Sequence, residues 1–230
     1  MRTALGRIRQ VQLDHWGQAG AWIACSPASI PAPGQYLIGR TLDDRDTVLG
    51  TPLFTAGLDD EGFLAAYPIP TTWDPGTSLE LRGPLGRGLR MPDRALHLAL
   101  VALGQTPARL LPFAAQALNR SETTVALFTD ASLPWLPAAL EVQPVQNVPE
   151  ALAWADFLAV DIPLLSLTGL RHVLGLGAGD RLPCPGELLV ETPMPCGGLA
   201  DCSACAVPGR RGWKLACKDG PVFDINEIEW

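Results

Sequence analysis

The chain opens with short apolar runs separated by turn residues, and this pattern holds for about ninety positions. Runs at 21–25, 35–39, 63–67 and 78–82 are punctuated by Pro31-Ala32-Pro33-Gly34, Asp59-Asp60-Glu61-Gly62 and Asp74-Pro75-Gly76. Closely spaced short strands with such breaks predict a small β-sandwich or barrel. From 93 the period changes. Residues 95–103 form an unbroken apolar run. Residues 108–119 then place Leu110, Leu111, Ala114, Ala117 and Leu118 on one side of a helix, and 124–128 is apolar again. A helix opening at 149–153 and a strand at 157–160 continue the alternation, which predicts a parallel α/β sheet. The pattern divides the chain into a β-domain (1–92), an α/β domain (93–182) and a compact cysteine-bearing module (183–230).

Composition narrows the function classes. A net charge of −7 offers no basic face for nucleic acid. No apolar run reaches the roughly 18 residues of a membrane helix; the longest candidate, 151–170, is broken by Asp156, Asp161 and Pro163. The first residues carry no apolar stretch of signal-peptide type, so a cytoplasmic location is expected. There, clustered cysteines bind metal more often than they pair as disulfides. The chain holds fifteen arginines and only two lysines, Lys214 and Lys218, which bracket Cys217 and are expected on a solvated loop.

Four of the six cysteines fall within 22 residues, as Cys196-x5-Cys202-x2-Cys205-x11-Cys217. Three close ligands and a fourth returning from beyond an excursion approximate the plant-type C-x4-C-x2-C…C arrangement of a [2Fe–2S] cluster. Structural zinc is the alternative, but zinc ribbons usually pair two tight C-x2-C knuckles, and only Cys202 and Cys205 form one here. Gly197, Gly198, Ser203 and Ala204 supply the small residues that a loop wrapped around sulfur needs. Cys25 is expected in the core and Cys184 in a loop; Trp213 is expected to pack over the module. His15, His97 and His172 show no metal or triad spacing, and no nucleophile elbow, P-loop or zinc-protease motif is present.

The stretches Glu191-Thr192-Pro193-Met194-Pro195-Cys196-Gly197, Cys202-Ser203-Ala204-Cys205 and Cys217-Lys218-Asp219-Gly220-Pro221-Val222-Phe223 resemble the C-terminal module of the dihydroorotate dehydrogenase electron-transfer subunit, in the ferredoxin–NADP reductase superfamily. Pro33-Gly34-Gln35-Tyr36 and Gly83-Pro84-Leu85-Gly86-Arg87-Gly88 resemble that family's P-G-Q-F and G-P-L-G-x-G segments. The resemblance implies a β-barrel FAD-domain-like unit, a Rossmann-like nucleotide-domain-like unit and a [2Fe–2S] module. It implies a redox role beside a catalytic flavoprotein such as dihydroorotate dehydrogenase, in pyrimidine biosynthesis. One departure lies in the motif itself, where five residues rather than four separate the first two cysteines.

Elsewhere the resemblance fades. The flavin motif R-P-x-S corresponds to Thr51-Pro52-Leu53-Phe54, so a threonine stands where an arginine would neutralise FAD phosphate. Tyr36, Thr51, Pro52, Leu53 and Phe54 are the residues the resemblance would place against a flavin. A second, glycine–threonine flavin loop has no room between Tyr67 and Gly76. The family's glycine-rich nucleotide turn survives only as Gly104, and its C-G-P signature reads Ala159-Val160-Asp161. The expectation is a subunit that relays electrons through its cluster, with NAD(P)H binding weakened or lost and FAD either kept or lost. The alternatives are a complete FAD-containing NAD(P)H-dependent reductase and a zinc-bearing structural module.

Overall fold

The computed structural model describes residues 2–13, 19–42, 49–66, 68–131 and 139–230. Its N-terminal part is a closed antiparallel barrel of β1 (Thr3–Leu13), β2 (Ala19–Cys25), β3 (Tyr36–Thr41), β4 (Thr51–Leu58), β5 (Gly62–Ala65) and β6 (Ser78–Leu85), in the order β1-β2-β5-β4-β3-β6. One side chain in two points inward, and Ile8, Ile23, Leu37, Leu53, Phe63, Leu79 and Leu81 fill the interior. Two barrel strands escape the sequence pattern. Strand β1 reads as polar because its buried positions are only Gly6 and Ile8. In β4, Pro52 and Gly57 interrupt the alternation. The expected strand end at Tyr67, and His15, lie outside the described residues.

The alternation in β3 fixes where the C-terminal module docks. Leu37 faces the barrel core, while Tyr36 and Ile38 face outward and are nevertheless buried. They are covered by the C-terminal module, so this wall of the barrel is sealed by residues some 160–180 positions away in sequence.

The second unit is a six-stranded sheet of β7 (His97–Ala102), β8 (Thr124–Phe128), β9 (Glu141–Gln143), β10 (Phe157–Pro163), β11 (Gly186–Glu191) and β14 (Val222–Asp224), ordered β14-β11-β10-β7-β8-β9. The first five are parallel and β14 is antiparallel to β11. Helix α1 (Leu111–Leu118) covers one face through Leu111, Phe113, Ala114 and Ala117. The expected helix over 108–119 begins as a single 3-10 turn at Ala108–Leu110. The short helices α2 (Val148–Ala151) and α3 (Leu170–Val173) lie on the other face, and β10 carries buried residues toward both. The chain reverses direction across the sheet between β7 and β10, the switch point at which such folds bind ligands.

Strands β11 and β14 lie beyond the expected boundary at 182/183, so the cysteine module is threaded into the edge of the sheet. Between them sit only a hairpin, β12 (Ala206–Gly209) with β13 (Gly212–Leu215), and the single-turn helix α4 (Ala216–Asp219). Among the described residues no helix is long and apolar enough to cross a membrane.

Candidate iron–sulfur centre and the crevice beside it

The cysteine loop leaves the end of β11 at Glu191 and coils back on itself. Gly197 (φ +61°), Gly198 (φ +78°), Ala200 (φ +66°) and Ser203 (φ +55°) all adopt left-handed backbone. Alternation of left- and right-handed residues turns successive N–H groups into one concavity that favours negative charge. The N–H groups of Asp201, Leu199 and Ala200 lower the Cys196 thiol, and that of Ala200 also lowers the Cys217 thiol. A side chain is excluded at Gly198, because a Cβ there would stand 2.8 Å from the Tyr36 hydroxyl oxygen.

The four thiols act on one another. Cys202 influences the Cys196 thiol, and Cys205 and Cys196 both influence that of Cys217. The Ala216 N–H donates to the Cys205 carbonyl at 2.9 Å, which ties the returning segment to the knuckle. The four differ in setting. Cys205 and Cys217 are buried, Cys196 is half-buried and Cys202 is exposed. Burial pushes the Cys217 thiol up to about 12, helped by Cys205 and Cys196. At Cys196 burial acts the same way but is outweighed by Cys202 and the three backbone N–H groups, which bring the thiol down to about 6.

This donor set fits a [2Fe–2S] group. Each iron of such a cluster takes two thiolates, and N–H groups aimed at sulfur stabilise the negative charge that the thiolates and sulfides bring. A mononuclear zinc ion would draw all four sulfurs into one tetrahedral shell. All six cysteines are free thiols; Cys25 is half-buried beside the barrel core and Cys184 is buried, neither with the four.

Around the loop, Tyr36 lies directly beneath Cys217, its hydroxyl donating to the Cys217 carbonyl at 2.9 Å. Arg82 of β6 reaches the outer side, with a guanidinium nitrogen 3.3 Å from where a Gly197 Cβ would be. Trp213 does not pack over the module as expected. It is 75% exposed, because the β12–β13 hairpin turns that face to solvent. Lys214 pairs with Glu227 at 3.0 Å and Lys218 is exposed.

The flavin-motif residues lie on the next wall. Thr51, Pro52 and Phe54 line a crevice of about 310 Å³ between the barrel, the turn after β7 and the start of the cysteine loop. The Leu53 side chain is in the barrel core, so only its backbone is near the crevice. Tyr36 stands behind Phe54, ring centroids 5.7 Å apart.

A buried ion pair fills the back of this crevice. Arg109 donates to both carboxylate oxygens of Asp161, through Nε at 2.9 Å and through Nη2, and Nη2 also reaches Glu191 at 3.2 Å. Its guanidinium lies over the Phe54 ring, 5.2 Å from the centroid. Burial works against both charges; it pushes the Asp161 carboxyl up against the pull of Arg109, while Asp161 and Glu191 together hold Arg109 above its ordinary value. A sequence signal for this pair does exist. Asp161 interrupts the apolar run of β10, and a fully buried carboxylate requires a partner. Which arginine supplies it depends on tertiary structure.

Comparison with known proteins bears on the module first. Residues 191–229 match the iron–sulfur cluster binding domain of dihydroorotate dehydrogenase B. The module is of this iron–sulfur type. Over nearly its whole length the chain is similar to the electron-transfer subunit of dihydroorotate dehydrogenase B (NAD(+)) of Desulforamulus reducens, 26% identical over 235 residues, with 88% of each chain covered. Among solved structures it resembles an NADH-dependent reduced ferredoxin–NADP oxidoreductase studied for flavin-based electron bifurcation (TM-score 0.74, 23% identity, 99% of this chain and 90% of that one). It also resembles the ferredoxin reductase of carbazole 1,9a-dioxygenase in its FAD-free form (TM-score 0.57, 16% identity, 83% and 67% covered) and the ferredoxin–NADP+ reductase of Plasmodium falciparum (TM-score 0.53, 9% identity, 82% and 95% covered). These likenesses establish a ferredoxin–NADP reductase fold.

Proposed function

We propose that this chain is an electron-transfer subunit that holds a [2Fe–2S] cluster on Cys196, Cys202, Cys205 and Cys217 and exchanges single electrons with a catalytic flavoprotein subunit. The relative's name points to dihydroorotate dehydrogenase as that partner. The observation that carries the reading is the gathering of four mutually influencing thiols on one loop of left-handed residues, in the segment that matches the iron–sulfur domain. A [2Fe–2S] group bound there supplies one-electron chemistry. The residues give it direction: Cys205 and Cys217 are sealed against the barrel by Tyr36, while Cys196 and Cys202 face solvent, where a partner can approach.

Within this proposal NAD(P)H binding is lost and FAD binding weakened. Three features of the crevice support it. Thr51 leaves no charge for a phosphate at the flavin-motif position. Strand β5 passes to β6 in twelve residues with no helix among those described, so no helix N-terminus faces a pyrophosphate. The Arg109–Asp161 pair with Phe54 occupies the back of the space between the domains. A second reading, a complete reductase, draws on the cavity of about 510 Å³ at the C-terminal ends of β7 and β8, beside Gly104 and Asp130, where dinucleotides bind in this class of sheet.

Anaerobic reconstitution tests both. Two iron and two acid-labile sulfide per chain, with a rhombic EPR signal after dithionite reduction, are expected; tightly bound zinc in the native protein and no such signal would overturn the cluster assignment. Cys205→Ser should lose the signal, and Cys184→Ser should keep it. Stoichiometric flavin or NADH-dependent dye reduction by the isolated chain would decide for the complete reductase.

A further inference from the structure

At the opposite end of the strands from the crevice, before β11 begins, lies a polar cavity of about 690 Å³. The crevice meets β11 at Glu191, whereas this cavity is lined by residues leading into Gly186, so the length of the strand, roughly 20 Å, separates them. Three of the chain's arginines line it: Arg171 from α3, Arg181 from the loop before β11, and Arg210 from the β12–β13 turn. Asn226, Trp230 and Asp180 are also among its walls.

Arg171 is held in place. Its Nη2 donates to the carbonyls of Gly177 (2.6 Å) and Asp180 (2.9 Å), and its guanidinium lies over the Trp230 ring, 4.9 Å from the centroid. Trp230 is anchored in turn, its Nε1 donating to the Ile225 carbonyl at 2.7 Å. The Arg171 Nε, buried, has no hydrogen-bond partner. Arg181 and Arg210 are exposed, and among the described residues neither makes an ion pair or a side-chain hydrogen bond. Arg210 is nonetheless fixed at its backbone, whose N–H donates to the Glu227 carbonyl at 3.0 Å. The one carboxylate in the lining, Asp180, is turned to its own loop and accepts from the Gly177 N–H at 2.8 Å.

We propose that this cavity is an anion site that takes a small phosphorylated ligand. Guanidinium groups meet phosphate oxygens with paired N–H donors. In a chain of net charge −7, two unpaired arginines beside a stacked third, with one donor buried and unsatisfied, make a local positive potential suited to a group carrying about two negative charges. The cavity volume is in the range of small-molecule sites and exceeds what one phosphate needs, so an organic phosphate fits as well as pyrophosphate.

Calorimetric titration of the full chain with inorganic phosphate, pyrophosphate and AMP tests the site, alongside the double variant Arg181→Ser/Arg210→Ser. Both side chains lack partners, so the variant keeps the fold; far-UV circular dichroism and cluster absorbance verify this. The wild type is expected to bind pyrophosphate with an affinity that falls as sodium chloride is raised, and the variant to bind at least tenfold more weakly. Equal affinity for AMP and pyrophosphate assigns recognition to phosphate alone; tighter AMP binding adds a contact to the base or ribose. No binding of any of the three probes by the wild type, or undiminished binding by the variant, overturns the proposal.

Discussion

The Tyr36 hydroxyl and the Cys217 carbonyl, 181 residues apart, are joined by a buried 2.9 Å hydrogen bond that fastens the cysteine module to the barrel wall. Burial, with Cys217 and Cys205 nearby, holds the tyrosine firmly protonated, so it remains a donor. Tyr36→Phe keeps the ring and its contact with Phe54 but leaves the carbonyl buried and unpaired. The expected cost is about 1–2 kcal/mol, read as a lower urea midpoint with an unchanged slope. Faster loss of cluster absorbance under chelation should accompany it; unchanged chelation kinetics would show that the bond does not brace the site.

The Arg109–Asp161 pair offers a sharper test of the crevice. Asp161→Asn leaves a buried guanidinium with only the half-exposed Glu191 as counter-charge, and destabilisation of roughly 3 kcal/mol is expected. Replacing both partners, Arg109→Met with Asp161→Leu, removes two desolvated charges together and should recover most of that loss. A double-mutant cycle of Arg109→Met, Asp161→Leu and their combination, read by denaturant unfolding, gives the coupling, and strict additivity of those two single changes would refute it.

Arg82 places positive charge at the outer side of the cysteine loop, beside Gly197. Adding an electron there is favoured by that charge, so Arg82→Gln should lower the reduction potential measured in an EPR-monitored titration, and Arg82→Lys should restore most of it. Equal potentials in all three proteins would remove Arg82 from any tuning role.

Acid stability has a local source at the N-terminal end of β7. The Asp156 carboxylate accepts from the N–H groups of Leu96 and His97, both at 3.0 Å, and lies 3.1 Å from His97 Nδ1. The two backbone bonds, more than the imidazole, hold its carboxyl below the ordinary range. The unfolded chain therefore binds this proton more readily than the folded one. The resulting stability is present above about pH 4, the ordinary aspartate value, and is lost as pH falls through the lower folded value. Urea midpoints between pH 3 and 6 should drop more steeply for the wild type than for Asp156→Asn; parallel profiles would place the acid sensitivity elsewhere.

By itself the sequence determined the order of the three zones and set four cysteines at the spacing that makes them the candidate sulfur donors. Both are local: strand and helix periods are written in neighbouring residues, and a cluster loop needs its ligands at short fixed spacings with glycine between them. Only the tertiary structure decided that Cys205 and Cys217 are buried while Cys202 is exposed, and that β11 and β14 draw the module into the sheet. It alone brought Tyr36 under Cys217 and Arg109 onto Asp161 and Phe54. The apolar period says that Asp161 will be buried but not what will neutralise it. A partner for a desolvated charge is chosen by the path of the backbone through space, and the 52 residues between Arg109 and Asp161 leave no periodic trace of it.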